Sequence, residues 1–382
     1  MECKYKRALI VTNHNLNGVG GGVFASRAYI NAFARIFEKI ILLCPANEGD
    51  DINKFRINES VNIIPVCDNN TLFRKILNLC IGRVNRFHNV FEAVLEKYNF
   101  DVVVFDNSRA SSGLLSIAHR YVSKVITIHH NYEYNYIKDN MSGIIRLLLL
   151  YWTKKYEKNA VRESDLNVTL TEYDKRKLNQ IYNKGNKAKI ENIGCFEYEK
   201  RTFKNEFQFN PKTFLITGNL SAKQTIDSLN YWIDNYYPVL QKLCPNYKLI
   251  IAGKGPGKCL INKCIDNNIV VIPSPASMDD ILEKSEYYIC PISKGGGIKL
   301  RMMDGLRFGL PVVCHEVSAR GYESMVKQGY VVSYNTVKSF KSAVEKILLG
   351  SYNRNKIVSE YNKYFSFESG ISRLKQVINE SL

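Results

Sequence analysis

Residues 197–213 read EYEKRTFKNEFQFNPKT, a polar, charge-mixed stretch without apolar periodicity, and the pattern on either side of it decides the fold. Upstream, short β-branched or apolar runs recur: ALIVTN (8–13), KIILLCP (39–45), VNIIPV (61–66), DVVVFD (101–106), KVITIHH (124–130) and LNVTL (166–170). Most are separated by enough chain for a helix, which predicts parallel strands joined by helical crossovers. Downstream the alternation restarts with FLITGN (214–219), KLIIAGKG (248–255), IVVIPS (269–274), YYICPI (287–292), LPVVCH (310–315) and GYVVSY (329–334). Single cores stop growing near about 250–300 residues. A chain of 382 residues interrupted once in this way therefore predicts an α/β protein of two doubly wound, Rossmann-like domains. The boundaries expected are 1–196 for the first domain, 197–212 for the linker, 213–360 for the second and 361–382 for a closing segment.

Composition narrows the partners. Lysine and arginine number 53 against 36 acids, and the net charge of +17 favours an anionic partner: a phosphate-rich ligand, a nucleic acid or a membrane surface. The N-terminal apolar run ALIV is shorter than the roughly 7–15 residues of a secretory signal, so a cytoplasmic location is expected. GIIRLLLLYW (143–152) is interrupted by Arg146 and is about half of what a spanning helix needs. The ten cysteines form no CxxC pair, and the closest two, Cys259 and Cys264, lack companions for zinc; they read as reduced thiols.

In doubly wound sheets ligands sit beyond the carboxyl ends of the strands, so the residues after each run are the candidates for a site. After ALIVT comes NHNLNGVGGGVFAS, in which Gly18, Gly20, Gly21 and Gly22 precede a helix expected from Phe24. The spacing departs from GxGxxG and no acid closes the next strand, so no dinucleotide site is read there. A tight turn accounts for one or two glycines; four favour close approach of backbone to a ligand, at Gly20 and Gly21. The stretch SKGGGIKLRMMDGLRFGLPVV (293–313) is more informative. Gly295, Gly296 and Gly297 follow a strand and precede a helix expected near Ile298, with Lys299 and Arg301 in its first turn. Cations are disfavoured at that end of a helix unless an anion is bound, so their placement points to phosphate. Asp304, about one and a half turns in, is suited to accept hydrogen bonds from two ribose hydroxyls, and the two together suggest a nucleotide. A glycine loop before a solvated basic helix face is the plain alternative.

The segment GGGIKLRMMDGLRFGLPVV resembles the donor-binding element of GT-B retaining glycosyltransferases, in particular glycosyltransferase family 4. FLITGNLSAKQTIDSLNYWIDNYYPVLQKLCPNYKLIIAGKGP (214–256) is similar to that family's first strand, helix and second strand in the nucleotide domain, and HNYE (130–133) to its His-Asn-x-Glu. The resemblance implies two domains facing each other across a cleft, with the closing segment returning to the N-terminal domain. It implies that Gly295, Gly296, Gly297, Ile298, Lys299 and Arg301 hold the donor diphosphate, that Asp304 binds the ribose, and that His130 contacts the donor sugar. Gly218, with Asn219 and Lys223 where many members place an arginine, completes the donor set. Of the family's paired glutamates the first position is Gly296 and the second Asp304, which leaves the donor sugar open.

Other residues were weighed beside these. His129 and His130 both end a strand. Asp106 ends another, where capping the next helix is the plain reading and an acceptor hydroxyl the functional one. Glu323 stays unassigned. No Asp-x-Asp occurs to hold a metal, so Lys299, Arg301 and the first helix amides are expected to neutralise the diphosphate without a metal or other cofactor. Residues 71–90 carry Arg74, Lys75, Arg83 and Arg86 with no acid, while Phe73, Ile76, Leu77, Cys80, Val84 and Phe87 recur at helical spacing. Such a helix commonly packs its apolar face on a sheet; with the overall charge it also suits peripheral contact with an anionic membrane on the inner face of the plasma membrane. The expectation is a retaining transferase that moves a sugar from a nucleotide diphosphate sugar to a glycan or lipid-linked acceptor in cell-surface polysaccharide or glycoconjugate synthesis. A sugar nucleotide epimerase of the same architecture is the alternative enzyme. A nucleic-acid-binding protein is disfavoured, because the cations are dispersed and no recognised motif interleaves them with aromatics.

Overall fold

The computed structural model describes residues 5–47, 49–67, 71–82, 85–185, 187–200 and 212–381, apart from the side chains of Asn53 and Leu72. Most of the expected linker, 201–211, thus lies outside the described residues. The chain divides into two compact units, residues 1–200 with 366–382 and residues 201–365.

The first unit is built on strands β1 (Arg7–Thr12), β2 (Lys39–Ala46), β3 (Val61–Cys67), β4 (Val102–Asp106), β5 (Lys124–His129), β6 (Leu166–Thr169) and β7 (Ile190–Asn192). They form one parallel sheet in the order β3-β2-β1-β4-β5-β6-β7. Helices cover such a sheet on both faces, which is why β1 and β4 are near-continuous apolar runs buried along almost their whole length. Leu9, Val11, Val103 and Phe105 pack against Phe87, Phe91 and Leu115. A fully buried side chain of this size contributes about 1.5–3 kcal/mol.

The second unit repeats the plan with β8 (Thr213–Asn219), β9 (Lys248–Lys254), β10 (Val270–Pro273), β11 (Tyr287–Cys290), β12 (Val312–His315) and β13 (Val331–Tyr334), in the order β10-β9-β8-β11-β12-β13. Its core joins Phe214, Ile216, Ile251 and Ile289 to Trp232, Phe340 and Val344. In each sheet the order reverses once, between β1 and β4 and between β8 and β11. Ligand sites of open parallel sheets lie at the carboxyl ends of the strands beside such a reversal.

The chain leaves the second unit later than the expected boundary at 361. Helix Arg354–Phe365 stays there because Tyr361 and Phe365 are buried, with Phe365 stacked on Tyr322 at 5.2 Å. Helix Phe367–Ser381 belongs to the first unit, where it buries Leu374 and Ile378 and Arg373 Nε donates to the Ile193 carbonyl at 3.0 Å.

Candidate active site

Beside the β8–β11 reversal, β8 ends in Gly218 and Asn219, and the loop from Ile292 to Leu300 leaves β11. Gly295 and Gly297 adopt φ of +90° and +63°, conformations that side chains with a Cβ rarely accept. The loop is tied down from three sides. Ser318 Oγ donates to the Ile292 carbonyl at 2.7 Å, Gln224 Nε2 to that of Lys294 at 2.5 Å, and the buried Tyr322 hydroxyl to that of Lys299 at 3.0 Å. None of Ser318, Gln224 or Tyr322 was singled out from the sequence; Gln224, one residue beyond Lys223, lies in a segment that already drew attention.

Arg301 is the centre of this arrangement. Its Nη2 donates to Thr225 Oγ1 at 3.0 Å and its Nη1 to the Thr217 carbonyl at 3.3 Å. Both partners are neutral, and no carboxylate pairs with Arg301 among the described residues. A Cβ at residue 218 would lie 2.7 Å from Nη1, so the glycine makes room for the guanidinium. Lys299 Nζ folds back onto the Gly296 carbonyl at 2.7 Å. Half-buried Ile298 lies between them in sequence.

The helix begins at Arg301, not near Ile298. Lys299 therefore precedes it, and the Met302 and Met303 amides already donate to the carbonyls of Lys299 and Leu300, each at 2.9 Å. The two cationic side chains, more than the helix amides, are the groups placed to meet an anion here. Asp304 accepts from Arg307 at 2.8 Å and is partly exposed. Asn219 Oδ1 accepts from the amide of Ser221 at 3.1 Å and from its hydroxyl at 2.7 Å, and exposed Lys223 opens helix Lys223–Asn235. Exposed Glu323 accepts from the Gly321 amide at 3.0 Å at the start of helix Glu323–Lys327.

The first unit holds a second constellation, beside its β1–β4 reversal. Asp106 ends β4, fully buried, with Oδ1 2.6 Å from His130 Nε2 and Oδ2 accepting from Thr12 Oγ1 at 2.7 Å. It is a side-chain acceptor, not the helix cap that its position suggested. His14, two residues past β1, binds Ser26 Oγ through Nδ1 at 2.8 Å, and its ring centre lies 5.1 Å from that of His130. Buried His129 is engaged by Asn167 at 2.9 Å, so of the adjacent pair only His130 joins the cluster. Gly22 lies against His14, where a Cβ would be 2.6 Å from Nε2, whereas nothing lies within 4 Å of a Cβ at Gly20. Gly20 caps the helix Gly21–Phe33 from an extended conformation. The loop is fixed by buried Arg27, which donates to the carbonyls of Leu16 and Gly18. His14 sits at a strand's carboxyl end, the signal that would have found it.

Burial alone would raise the Asp106 carboxyl, but the charge and hydrogen bond of His130, with His14, hold it at about 2. Burial opposes a charge on His130 too, yet Asp106 and Glu133 carry it above the ordinary histidine range. His14 is pushed down to about 4 by burial and by His130, and His129 to about 4 by burial against the pull of Asn167. The environment thus favours charge on both members of the Asp106–His130 pair and disfavours it on His14 and His129. His14, Asp106 and His130 each offer a ligand atom within 4.8 Å of the others. The Asp106–His130 hydrogen bond already engages Asp106 Oδ1 and His130 Nε2. His130 Nδ1 is buried with no hydrogen-bond partner among the described residues.

Residues 211–349 match the family Glycosyl transferases group 1. Over 291 residues the chain is 22% identical to an uncharacterized glycosyltransferase of Haemophilus influenzae, covering 74% of this chain and 76% of that one. Among solved structures, sucrose-phosphate synthase from Thermosynechococcus elongatus superposes with a TM-score of 0.73 over 98% of both chains at 11% identity. The pneumococcal O-GlcNAc transferase GtfA, solved with UDP and GlcNAc, gives 0.65 over 99% of both at 12% identity.

Proposed function

We propose that this chain, which has the GT-B fold and carries a group 1 glycosyl transferase domain over residues 211–349, moves a sugar from a nucleoside diphosphate sugar to a glycan or lipid-linked acceptor. The observation that carries this reading is Arg301, a cation held at the β8–β11 reversal by neutral acceptors alone. A charge without a countercharge, fixed in place and backed by glycine, is suited to an anionic ligand. As the glycosidic bond breaks, charge builds on the departing diphosphate, and Lys299 and Arg301 stabilise it more in the transition state than in the ground state. Gly295, Gly296 and Gly297 let the diphosphate approach the backbone, and Asp304 takes the ribose hydroxyls in exchange for part of its pairing with Arg307. The departing diphosphate helps deprotonate the acceptor on the same face, so configuration is retained without a protein nucleophile, and no metal is invoked. In the first unit, His130, oriented by Asp106, is the candidate for a sugar hydroxyl, and that unit takes the acceptor. The reaction belongs to cell-surface polysaccharide or glycoconjugate synthesis on the cytoplasmic side.

The test is a thermal-stabilisation screen of nucleotides and nucleotide sugars, with UDP and its sugars first because the pneumococcal neighbour was solved with UDP. A ligand at 100 times its dissociation constant adds about 2.7 kcal/mol to the folded state. The shift should disappear in Arg301→Ala. Transfer should then release nucleoside diphosphate only when acceptor is present, with the donor's anomeric configuration in the product and no loss of rate in EDTA. Absence of stabilisation by any nucleotide, or an epimerised nucleotide sugar as product, overturns the reading.

A further inference from the structure

We propose that helix Leu72–Cys80 and the first half of helix Ile144–Glu163 form a docking face for an anionic lipid bilayer. The sequence of the first helix is strongly amphipathic, and packing of its apolar side on the sheet is the common outcome. Here that does not happen. None of its described side chains is buried, and Phe73 (77% exposed), Ile76 and Leu77 all face water. The helix leans on helix Ile144–Glu163, where Gly82 (φ +77°) abuts Trp152 so closely that a Cβ would lie 2.5 Å from the ring. From the second helix Ile144 (83% exposed), Ile145 and Leu147 are also exposed. Isolated exposed apolar residues are ordinary, but two adjoining helices that expose seven large ones, Tyr151 included, are not.

The charges select the occupant. Arg74 and Lys75 accompany the first set, Arg146, Lys154 and Lys155 the second, and no Asp or Glu occurs in residues 71–82 or 140–156. Aliphatic side chains framed by cations match the acyl and phosphate layers of an anionic leaflet. A second copy of this chain fits poorly, because an isologous contact would bring the same cations together. Nucleic acid would call for a run of stacking aromatics, whereas this face is mostly isoleucine and leucine, with Phe73 and Tyr151 its exposed aromatics. At about 13 Å the shorter helix suits lying in an interface. Among the described residues no helix is long and apolar enough to cross a membrane. Arg83, part of the same basic run, lies outside the described residues.

The experiment is flotation of the full chain with vesicles of phosphatidylcholine alone or mixed with phosphatidylglycerol. Binding is expected only to the mixed vesicles and should weaken as salt is raised. Arg74→Gln and Lys75→Gln should each lower the partition coefficient roughly fivefold, and Phe73→Ser with Ile144→Ser about tenfold or more. No binding to the mixed vesicles, equal binding to phosphatidylcholine alone, or variants that bind like the parent overturns the proposal. So does a dimer that dissolves on Phe73→Ser in a protein that ignores vesicles. Should a variant fail to fold, the salt and lipid-charge dependence of the parent still decides. Neither donor nor acceptor is present, so failure here leaves the transferase reading standing.

Discussion

Arg301 and Lys299 differ from Asp304 in when they are needed. In the proposed reaction the cations act on charge that appears as the donor bond breaks, so Lys299→Ala or Arg301→Ala should lower kcat by about 100-fold, as losing one preorganised donor commonly does. In the same proposal Asp304 binds hydroxyls whose charge changes little during reaction, so Asp304→Ala should raise the donor KM with a smaller change in kcat. Steady-state kinetics separates the two patterns, and near-parental turnover in both cation variants would contradict the diphosphate assignment. The buried histidines make a second prediction. His129, held near 4 in the folded chain, takes up a proton on unfolding below about pH 6.5, so the unfolded state binds more protons and stability falls with pH. Between pH 7 and 5 that loss is about 2 kcal/mol for His129 alone, and His14 adds in the same direction. The Asp106–His130 pair runs differently. The raised His130 contributes stability fully below about pH 6.5 and loses it as pH rises through its folded value; Asp106 contributes above about pH 4 and loses it only towards 2. The two trends oppose each other, so the His129 contribution is read from urea unfolding of the parent beside His129→Gln: the parent should lose more stability than the variant between pH 7 and 5, and equal losses would mean that His129 is not held neutral.

The strands and the glycine loop carry their signals locally, and those parts were legible in the sequence. A parallel strand buried on both faces must be an apolar run, as ALIVT and VVVF are. Gly295 and Gly297 occupy left-handed conformations that announce themselves by residue type. What stayed hidden depends on partners distant in sequence. The helix start moved to Arg301 where the Tyr322 hydroxyl takes the Lys299 carbonyl and Lys299 turns back to Gly296. Asp106 meets His130 only because β4 pairs with β5, and His14 joins them because β1 pairs with β4. Nor does amphipathicity say whether the apolar side of helix Leu72–Cys80 meets a sheet or water. Gly218 joins the two kinds of information: its type was visible, but its reason is Arg301. In Gly218→Ala the new methyl group must displace the guanidinium, at a φ of +154° that also disfavours alanine. Nucleoside diphosphate affinity should fall about tenfold, of the order of two coupled neighbours' interaction energy. Because the loss acts through Arg301, the double variant Gly218→Ala with Arg301→Ala should bind no worse than Arg301→Ala alone. Titration calorimetry of the three proteins reads this directly, and additive losses would separate Gly218 from the cation.

The two units share a plan but not the last helix, and that asymmetry can be tested. Phe367–Ser381 is the most distant element in sequence from the helix it contacts, Gly21–Phe33, yet both belong to the first unit. It seats Gly370 on the ring of Phe196, where no Cβ fits, and buries Leu374 and Ile378. Arg373 bonds the Ile193 carbonyl and Lys189 Nζ that of Glu380. The second unit's core cluster, by contrast, closes within residues 214–352. Deleting residues 367–382 removes about 3–6 kcal/mol of buried apolar contact from the first unit, a large part of the roughly 5–15 kcal/mol that holds a domain folded. Differential scanning calorimetry of the truncated chain should show one transition moved down or lost. A transition that still shifts upward with nucleoside diphosphate should remain, because Gly218, Gly295, Lys299 and Arg301 all lie in the unit left whole. Gly370→Leu should produce a milder form of the same pattern, by forcing the helix off Phe196 without shortening the chain. If truncation abolished the nucleotide-dependent shift, the donor site could not be confined to residues 212–365, and the assignment of the diphosphate to Arg301 would fall with it.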